Sequence, residues 1–373
     1  KAPATAPAAR TAPATRPGPA VRPDALRFLP ADVADRLSPF ERVVASANGY
    51  LQRIVSSWTN RTVSVGVLFN RLLSEQRRES DGKLVQRYER RVELCCEGVR
   101  FGVADSDITL ERQDLIEAVQ SNKVGLGQLV RQFNLLVAFR LRSVDKLPDG
   151  DVRRVYEMQS DGLLCVITEQ LSLAKLSVAP PPPAPSGQSG ASLAAATQRA
   201  RFGDTVVGTE TSVTVHDPTL GPIERVLCTA NGNVRRLVSS YLNVAVAQHY
   251  AGAGLRLPPA QGSAACRFTR GSSLVFGEDS PGRPAGTVIC ETVSTYTVHS
   301  PELADQLNNG KRALENIFGT PGTTEAELPQ FQLVDVCLAT ADSPEFPLER
   351  KYRLFTDAVT VECEERFHRT VFG

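Results

Sequence analysis

The eight cysteines are the residues of this chain whose chemistry first needs an explanation. They are Cys95, Cys96, Cys165, Cys228, Cys266, Cys290, Cys337 and Cys363. No pair forms a CxxC motif, and no cysteine–histidine spacing fits a zinc site, so the sequence predicts no metal. A chain of 373 residues is also large enough to bury a core without a disulfide framework. Eight thiols exceed what core filling needs, which leaves covalent attachment of a group as a hypothesis.

Other catalytic and binding patterns are weak in this sequence. The four histidines are scattered, and His368 has no serine or aspartate motif around it that would suggest a catalytic triad. The net charge of +1 gives the whole chain no preference for nucleic acid. No run of 18 apolar residues occurs, so no membrane span is expected. The sequence therefore contains no recognisable catalytic nucleophile or metal site, and its repeated architecture is the more informative feature.

The elements that would position the cysteines come from an internal repeat. "ERVVASANGYLQRIVSSW" (41–58) matches "ERVLCTANGNVRRLVSSY" (224–241) at 10 of 18 positions. Ser38 and Glu41 form a capping-box pattern before the first copy, and Gly221 with Glu224 is its weaker version. The Asn-Gly pair inside each copy is typical of a helix end, so each copy predicts two short helices separated by a turn.

Further matches extend the repeat over both halves of the chain. "QRYERRVEL" (86–94) aligns with "CRFTRGSSL" (266–274), and both alternate as strands do. "VYEMQSDGLLCVITEQLS" (155–172) aligns with "KYRLFTDAVTVECEERFH" (351–368), and each predicts a hairpin. This alignment pairs Glu169 with Glu365. The predicted fold class is α+β: two tandem copies of an antiparallel sheet flanked by helices.

The composition of the chain predicts its domain boundaries. Residues 1–30 are an extended, basic arm rich in Ala and Pro, with four cations and no acid before residue 24. Residues 31–176 form the first repeat and 204–373 the second. Residues 177–203 are a linker that is first Pro-rich and then Gly/Ser-rich. The arm resembles in composition the segment just after a plastid or mitochondrial transit peptide, and a chain simply cut at this point is the alternative.

The repeat unit resembles chorismate pyruvate-lyases of the 4-hydroxybenzoate synthase type. The resemblance rests on the helix–Asn-Gly–helix order followed by "RRVEL", "ADSDITL", "GLGQL" and a closing "ITEQ" strand. It implies an antiparallel sheet flanked by helices around a buried aromatic-acid site. In that family an arginine on the "RRV" strand holds the substrate carboxylate, and a glutamate on the last strand serves the elimination or binds the product. Carried over, these residues are Arg91 and Glu169.

The same comparison implies that the second repeat has lost its activity, because Gly271 stands at the Arg91 position while Glu365 remains. Arg91 and Glu169 also fit a structural interpretation, in which one is an exposed arginine and the other an edge-strand glutamate. A lyase explains neither the second copy, nor the arm, nor eight cysteines.

The overall plan resembles the gamma-type linker subunits of red-algal phycoerythrin. Those linkers are internally duplicated plastid proteins that lie inside phycobiliprotein rings and carry bilins on cysteines. The resemblance implies a non-catalytic scaffold of a phycobilisome rod in the chloroplast stroma, associated with thylakoids. Its partners would be phycoerythrin hexamers and other linkers, with no nucleic acid and no membrane span. Its cofactors would be phycoerythrobilin or phycourobilin, with no metal.

Bilin attachment requires an accessible thiol and cations for the two propionates. The candidate attachment sites are Cys95, Cys96, Cys228, Cys266 and Cys290, each close to a charged residue in sequence. Plain burial is the alternative for every one of them. Three functional hypotheses therefore stand: the light-harvesting linker, a chorismate lyase working through the first repeat, and a scaffold subunit of another organellar complex.

Overall fold

The computed structural model describes residues 26–48, 51–120, 135–176, 220–230, 234–251, 266–279, 283–309, 329–338 and 346–372. It also describes a few positions within 126–133 and 314–318. The predicted arm up to residue 25, the linker 177–203 and most of the predicted helical segments 124–133 and 311–319 lie outside the described residues.

The first unit is built on a six-stranded antiparallel sheet. Its spatial order is β1-β2-β3-β6-β5-β4, so the hairpin that closes the unit lies between the three-stranded meander and β4. The strands are β1 (Val63–Arg77), β2 (Leu84–Cys96), β3 (Val99–Leu110), β4 (Ala138–Lys146), β5 (Val152–Ser160) and β6 (Leu163–Leu171).

A second six-stranded antiparallel sheet has the corresponding order, β7-β8-β9-β12-β11-β10. Its strands are β7 (Val246–Tyr250), β8 (Cys266–Phe276), β9 (Val288–Val298), β10 (Gln330–Leu338), β11 (Leu348–Phe355) and β12 (Val359–Phe367). The mixed helix-and-sheet architecture and the two antiparallel sheets agree with the sequence-based prediction.

Short helices come before each sheet in sequence. One further helix follows the third strand of each sheet. Around the first sheet they are α1 (Ala31–Ala34), α2 (Pro39–Ser46), α3 (Leu51–Thr59) and α4 (Gln113–Gln120). Around the second they are α5 (Pro222–Thr229), α6 (Val234–Leu242) and α7 (Pro301–Asn308). Two 3₁₀ turns, Leu173–Leu176 and Arg369–Val371, come after the last strand of each sheet.

The predicted capping box forms at the start of α2. The backbone N–H of Ser38 donates to Glu41 Oε2 at 2.9 Å, and the Glu41 N–H donates to Ser38 Oγ at 3.3 Å. At the start of α5 only half of this arrangement exists, because Gly221 has no side chain and only its N–H donates to Glu224. These caps fix where α2 and α5 begin.

Strand register makes positions in the two sheets equivalent. Arg90 on β2 lies opposite Ser106 on β3, and Arg270 on β8 lies opposite Ser294 on β9 in the same way. The closing hairpins also correspond, so the strand positions can be matched one by one. This matching identifies which side chains of one unit have counterparts in the other.

The two units share a core. Helix α2 packs on α6, and α3 packs on α5. Apolar residues of all four helices, among them Val44, Val55, Leu227 and Val238, are fully buried in one cluster. Each unit has a further cluster of its own between its sheet and its crossover helix. The shared cluster makes the contact between units part of the hydrophobic interior.

Arg42 on α2 and Arg225 on α5 each cap the end of a helix in the other unit. Arg42 donates from Nε to the Ser240 carbonyl at 2.8 Å and from Nη2 to the Tyr241 carbonyl at 2.8 Å. These carbonyls belong to the last turn of α6, where backbone acceptors lack partners within the helix.

The reciprocal contact has the same form. Arg225 donates from Nε to the Ser57 carbonyl at 2.9 Å and from Nη2 to the Trp58 carbonyl at 2.7 Å, in the last turn of α3. Between the two arginines, the hydroxyl oxygens of Ser57 and Thr229 lie 2.7 Å apart. Because contact and counter-contact involve equivalent residues, the interface is isologous in kind, as in a two-fold dimer.

A second pair of equivalent arginines also crosses between the units. The guanidinium carbon of Arg53 lies 5.4 Å from the ring centroid of Phe331, and that of Arg236 lies 5.5 Å from the centroid of Phe139. Arg236 also donates to the Ser46 carbonyl at 3.0 Å. Arg53 and Arg236 therefore each contact the unit to which they do not belong.

Candidate functional site

Glu169 lies at the centre of a buried polar network in the first unit. Its Oε2 accepts from Arg154 Nε at 2.6 Å, and its Oε1 accepts from the Tyr156 hydroxyl at 2.8 Å. Arg154 is fully buried, and the other two residues are each 5% exposed. Both carboxylate oxygens therefore have a charged or phenolic donor inside the protein.

Arg154 also holds the end of helix α2. Its Nη1 donates to the carbonyls of Val44 and Ala47, each at 2.7 Å. A cation is favoured at a helix C-terminus because the last carbonyls carry the negative end of the helix dipole. The network thus ties the closing hairpin of the sheet to the helix that forms the contact between units.

The second unit contains the same network. Glu365 accepts from Arg350 Nε at 2.7 Å and from the Tyr352 hydroxyl at 2.9 Å. Arg350 Nη1 donates to the Leu227 and Ala230 carbonyls at the end of α5, each at 2.5 Å. Strand register makes all of these residues equivalent to those of the first unit.

Burial and charge fix the protonation of this network. Burial raises the pKa of both tyrosines, Tyr156 and Tyr352, well above its usual value, and the adjacent carboxylate raises it further. Burial by itself lowers the pKa of Arg154, but Glu169 and Tyr156 outweigh it and the net direction is upward. The phenols therefore donate, the guanidinium is charged, and the network is a salt bridge supported by a hydrogen bond.

Arg91 does not meet Glu169. Its guanidinium makes two parallel hydrogen bonds to Asp105, at 2.7 and 2.9 Å, on the solvent-exposed face of the sheet. Glu169 lies opposite Ala104, one position along, and therefore points to the other face. The expectation that these two residues share a site is not supported.

The arginine that faces the interior is its neighbour, Arg90, which is 1% exposed. Burial lowers its pKa. Register makes Arg270 its counterpart in the second unit, whereas Gly271 corresponds to Arg91. The second unit therefore lacks an arginine only at the Arg91 position and has one, Arg270, at the position of the inward-facing Arg90. Strand alternation through Tyr88, Arg90 and the other buried positions of β2 was the signal that identifies it.

A cavity of about 170 Å³ opens beside Arg270 in the second unit. Its floor includes Glu365 and Tyr352 of the buried network. Most of the remaining lining is polar: Arg235, Gln248, Tyr250, Ser272, Ser294, Thr292 and Tyr296, with Val234, Leu274 and Leu314 as the apolar part. A concave site with a cation, phenols and hydroxyls is suited to a small planar anion.

The aromatic residues around Arg270 are electrostatically coupled to it. Its guanidinium carbon lies 3.8 Å from the ring centroid of Tyr250. Burial raises the pKa of Tyr296 to about 12, against a lowering influence from Ser294 and Arg270. The Tyr296 phenol is therefore neutral at ordinary pH and can serve as a hydrogen-bond donor.

The first unit surrounds Arg90 with apolar side chains at the equivalent positions. Register replaces Tyr250, Ser272, Thr292 and Tyr296 by Val67, Val92, Ala104 and Ile108. Ile108 and Ala104 are almost fully buried. At these four positions the side chains are therefore polar in the second unit and apolar in the first.

Four of the five proposed attachment cysteines are buried. Cys228 and Cys290 have no exposed surface, and Cys96 and Cys266 are 2% and 6% exposed. Burial raises the pKa of Cys96, Cys266 and Cys290. Register aligns Cys290 with Gly102 of the first unit. A thiol without access to solvent cannot receive a bulky group in the folded chain.

Cys95 is the exception among the five, because its side chain is half-buried. It lies opposite Arg100 on β3 and Ser64 on β1. Slight burial and the neighbouring Glu93 raise its pKa, while Arg100 opposes them. The sequence did not show which of the two adjacent cysteines is buried. In the structure, Cys96 faces the core and Cys95 faces outward.

Within the part of the chain that the structure describes, no cluster of three or more His, Cys, Asp or Glu residues is arranged to hold a metal ion. None of the described helices has both the length and the apolar character needed to cross a bilayer. No family model and no curated protein matches the chain.

Proposed function

We propose that this protein is a non-catalytic linker of a large plastid light-harvesting assembly, a phycobilisome rod. Its two units are tandem copies of a chorismate-lyase-like module, reused as a rigid body. It binds phycoerythrin hexamers and other linkers in the chloroplast stroma beside the thylakoid membrane. The chain's plan of arm, module, linker and module motivates this assignment.

The main support for a non-catalytic role is that the buried carboxylates Glu169 and Glu365 lie in equivalent hydrogen-bond networks. A general acid or base must reach its substrate with an available carboxyl group. Both oxygens of Glu169 are engaged by Arg154 and Tyr156, and Glu365 is engaged identically. Both units keep the network, and both use it to hold a helix end, which supports an architectural role.

The contact between units supports a scaffold as well. A linker must transmit a fixed geometry between partners, and a shared core with reciprocal arginine caps provides one. Domains are expected to move relative to one another unless their interface is hydrophobic, and here the two units contribute to one buried apolar cluster.

The bilin part of the proposal narrows to one position. Of the five candidates, Cys95 alone offers a partly exposed thiol, and Arg100 opposite it supplies a cation for a propionate. Cys96, Cys228, Cys266 and Cys290 serve the core. The scaffold role itself does not depend on a pigment.

Mixing the purified chain with phycoerythrin hexamers and measuring sedimentation tests the linker assignment. Co-sedimentation in a fixed ratio is the expected result, and independent migration at all ratios would remove it. For the pigment, mass spectrometry of the Cys95 peptide from material isolated from the source cells should show a tetrapyrrole-sized addition. An unmodified Cys95 peptide would remove the bilin part while leaving the scaffold role standing. Co-purification with a ribosome or respiratory complex would instead select the other organellar scaffold.

A second candidate function rests on the cavity beside Arg270. A guanidinium with phenols and hydroxyls around it is suited to binding an aromatic carboxylate, so any ligand binding inherited from the module is proposed for the second unit and not the first. Titration with 4-hydroxybenzoate, followed by tyrosine fluorescence, should saturate in the native chain. Arg270→Gln should weaken it, whereas Arg267→Gln, an exposed neighbour, should not. No saturable signal would end this candidate.

A further inference from the structure

The edge strand of the second sheet makes a backbone contact with the start of the described chain. β7 is the terminal strand of that sheet. Leu26 forms an antiparallel bridge with Val246 of β7, with N–H···O=C distances of 3.2 and 3.3 Å in the two directions. Ser239 Oγ also donates to the Leu26 carbonyl at 3.2 Å. The arm therefore joins the described part of the chain at the outer edge of β7.

Two further contacts hold this junction in place. Arg27 Nε donates to Glu278 Oε1 at 3.0 Å, and the same oxygen accepts from the Ala245 N–H at 3.1 Å. The guanidinium carbon of Arg236 lies 4.4 Å from the ring centroid of Phe28. Three successive residues, 26–28, thus anchor the end of the arm on the second unit.

The backbone of β7 presents alternate residues to this edge. On the inner side, the Ala245 carbonyl accepts from the Gly277 N–H at 2.8 Å, and the Ala251 N–H donates to β8 at 3.0 Å. Odd-numbered residues of this stretch therefore bond to β8. Even-numbered residues point their N–H and C=O groups to the outer edge, as Val246 does towards Leu26. Gln248 is the next residue of this outward-facing set.

The sequence of the arm fits this register. Continuing the antiparallel bridge upstream places Asp24 opposite Gln248 and Pro23 opposite His249. The nitrogen of residue 23 then points away from β7, so a proline at this position removes no donor from the ladder. The N–H and C=O groups of residue 24 face those of Gln248 and can pair with both.

Charge favours the same placement. Asp24 is the single acidic residue among residues 1–25. Arg235, which lines the cavity beside Arg270, donates from Nε to the Val246 carbonyl at 2.9 Å. The Leu26 N–H donates to that same oxygen. A cation of the cavity wall therefore lies at the junction, two residues along the chain from the arm's one carboxylate.

We propose that residues 23–25 pair with β7 as a short added strand and bring the Asp24 carboxylate to the rim of the cavity beside Arg270. There the carboxylate approaches Arg235 and competes with an anionic ligand for the cationic end of the cavity. The competition rests on the aromatic-carboxylate binding proposed above for the second unit, whereas the strand pairing does not depend on it.

Charge and length limit what else could occupy this edge. Arg22 would fall opposite Tyr250, whose ring centroid lies 3.8 Å from the Arg270 guanidinium carbon, so repulsion between the two arginines ends the pairing at Pro23. β7 has five residues and Leu26 already covers one of them, which leaves little edge for the strand of a separate chain. The arm is tethered at this point, and its local concentration exceeds that of any free partner.

Amide hydrogen exchange of the full chain, read by NMR at Gln248, tests the pairing without any ligand. Asp24→Pro removes the N–H that donates to the Gln248 carbonyl and should speed exchange of the Gln248 amide by about tenfold or more. Ala25→Pro is the matched control, because the N–H of residue 25 points away from β7, and it should leave the exchange unchanged. Equal exchange in the native chain and Asp24→Pro, or equal effects of the two prolines, overturns the proposal.

A crosslink tests the register independently. In a Cys95→Ser background, Pro23→Cys with His249→Cys should form an intramolecular disulfide on mild oxidation, because opposite Cα atoms in a non-hydrogen-bonded pair lie about 4.5 Å apart. Pro23→Cys with Gln248→Cys places the two thiols on opposite faces of the sheet and should oxidise much more slowly. Equal rates for the two pairs would show that the arm is not in this register and would overturn the added strand.

The competition has its own readout. In the titration with 4-hydroxybenzoate, Asp24→Asn should lower the dissociation constant by about two- to fivefold, the range expected for losing an exposed ion pair. Asp32→Asn, which changes an exposed acid on α1, should leave the constant unchanged. An unchanged constant in Asp24→Asn overturns the competition. A native chain that binds no 4-hydroxybenzoate removes the ligand-binding candidate, and the exchange and crosslinking results still decide the added strand.

Discussion

Replacing Glu169 by glutamine separates an architectural role from a catalytic one. Glutamine keeps the size of the side chain and removes its charge, while Arg154 has no exposed surface and lies at 2.6 Å from the carboxylate. Removing one partner of a buried ion pair leaves the other charge without compensation, which costs about 3 to 5 kcal/mol of unfolding free energy. For a unit of this size that corresponds to a melting temperature lower by roughly 6 to 20 °C.

The matched control is Asp105→Asn. Asp105 also pairs with an arginine in a parallel, two-bond geometry, but the pair is about half exposed. Solvent-exposed ion pairs contribute little to stability, so this variant should unfold with the native protein. Differential scanning calorimetry and urea unfolding give the stability of Glu169→Gln and Asp105→Asn. Because both variants lose a salt bridge, the difference between their stabilities reports the effect of burial.

The opposite outcome is informative. Residues kept for catalysis commonly reduce stability, so replacing them leaves a protein unchanged or makes it more stable. If Glu169→Gln melts at or above the native temperature while Asp105→Asn is neutral, the network is not architectural and the reasoning fails. Glu365→Gln, with Glu362→Gln as its exposed control, repeats the test in the second unit.

Three further outcomes are expected from the same set of contacts. Arg42→Ala and Arg225→Ala each remove two hydrogen bonds to the other unit and should each lower the unfolding free energy by about 1 to 3 kcal/mol in urea titrations; no loss in either would contradict the reciprocal caps. The folded-state pKa of Tyr296 is raised to about 12, so the stability it contributes is complete below its usual pKa of 10.0 and falls as pH rises from there towards 12; Tyr296→Phe should flatten that part of the curve in unfolding measured against pH. Among the five proposed attachment cysteines of an unpigmented preparation, Cys95 should react with Ellman's reagent in the native chain and the others only after unfolding; rapid labelling of Cys266 would show that its burial is misplaced.

The repeat in the sequence indicated much of the fold. The matched helical phrases and hairpins predict two helix–helix–sheet units, because Asn-Gly ends and strand alternation are local signals. The capping box at Ser38 and Glu41 is confirmed for the same reason: it depends on residues three apart. Elements defined by short-range pattern are the ones that a sequence specifies most directly.

The candidate site was predicted less well, and two causes can be named. First, adjacent residues on a strand face opposite sides, so choosing Arg91 over Arg90 required knowing which face is buried. Second, the partner of Glu169 was already implied by its hairpin: with Ser160 opposite Leu163, Arg154 falls opposite Glu169. Counting residues back from the hairpin turn gives this pairing from the sequence alone. The same count pairs Arg350 with Glu365 in the second unit.

The cavity beside Arg270 could not be predicted in this way. Its lining comes from β7, β8, β9, β11, β12 and α6, and its difference from the first unit depends on four substitutions whose positions match only after three-dimensional register is known. Likewise, Cys228 and Cys290 lie in the buried cluster to which both units contribute, and their neighbours in sequence do not indicate this.

Incubation of the purified chain with chorismate tests the central claim most directly, with pyruvate release followed by a coupled lactate dehydrogenase reaction. The account predicts no pyruvate above the rate in buffer, for the native chain and for Glu169→Gln alike. Pyruvate release by the native chain that is lost in Glu169→Gln or Arg90→Gln would contradict the proposed non-catalytic role.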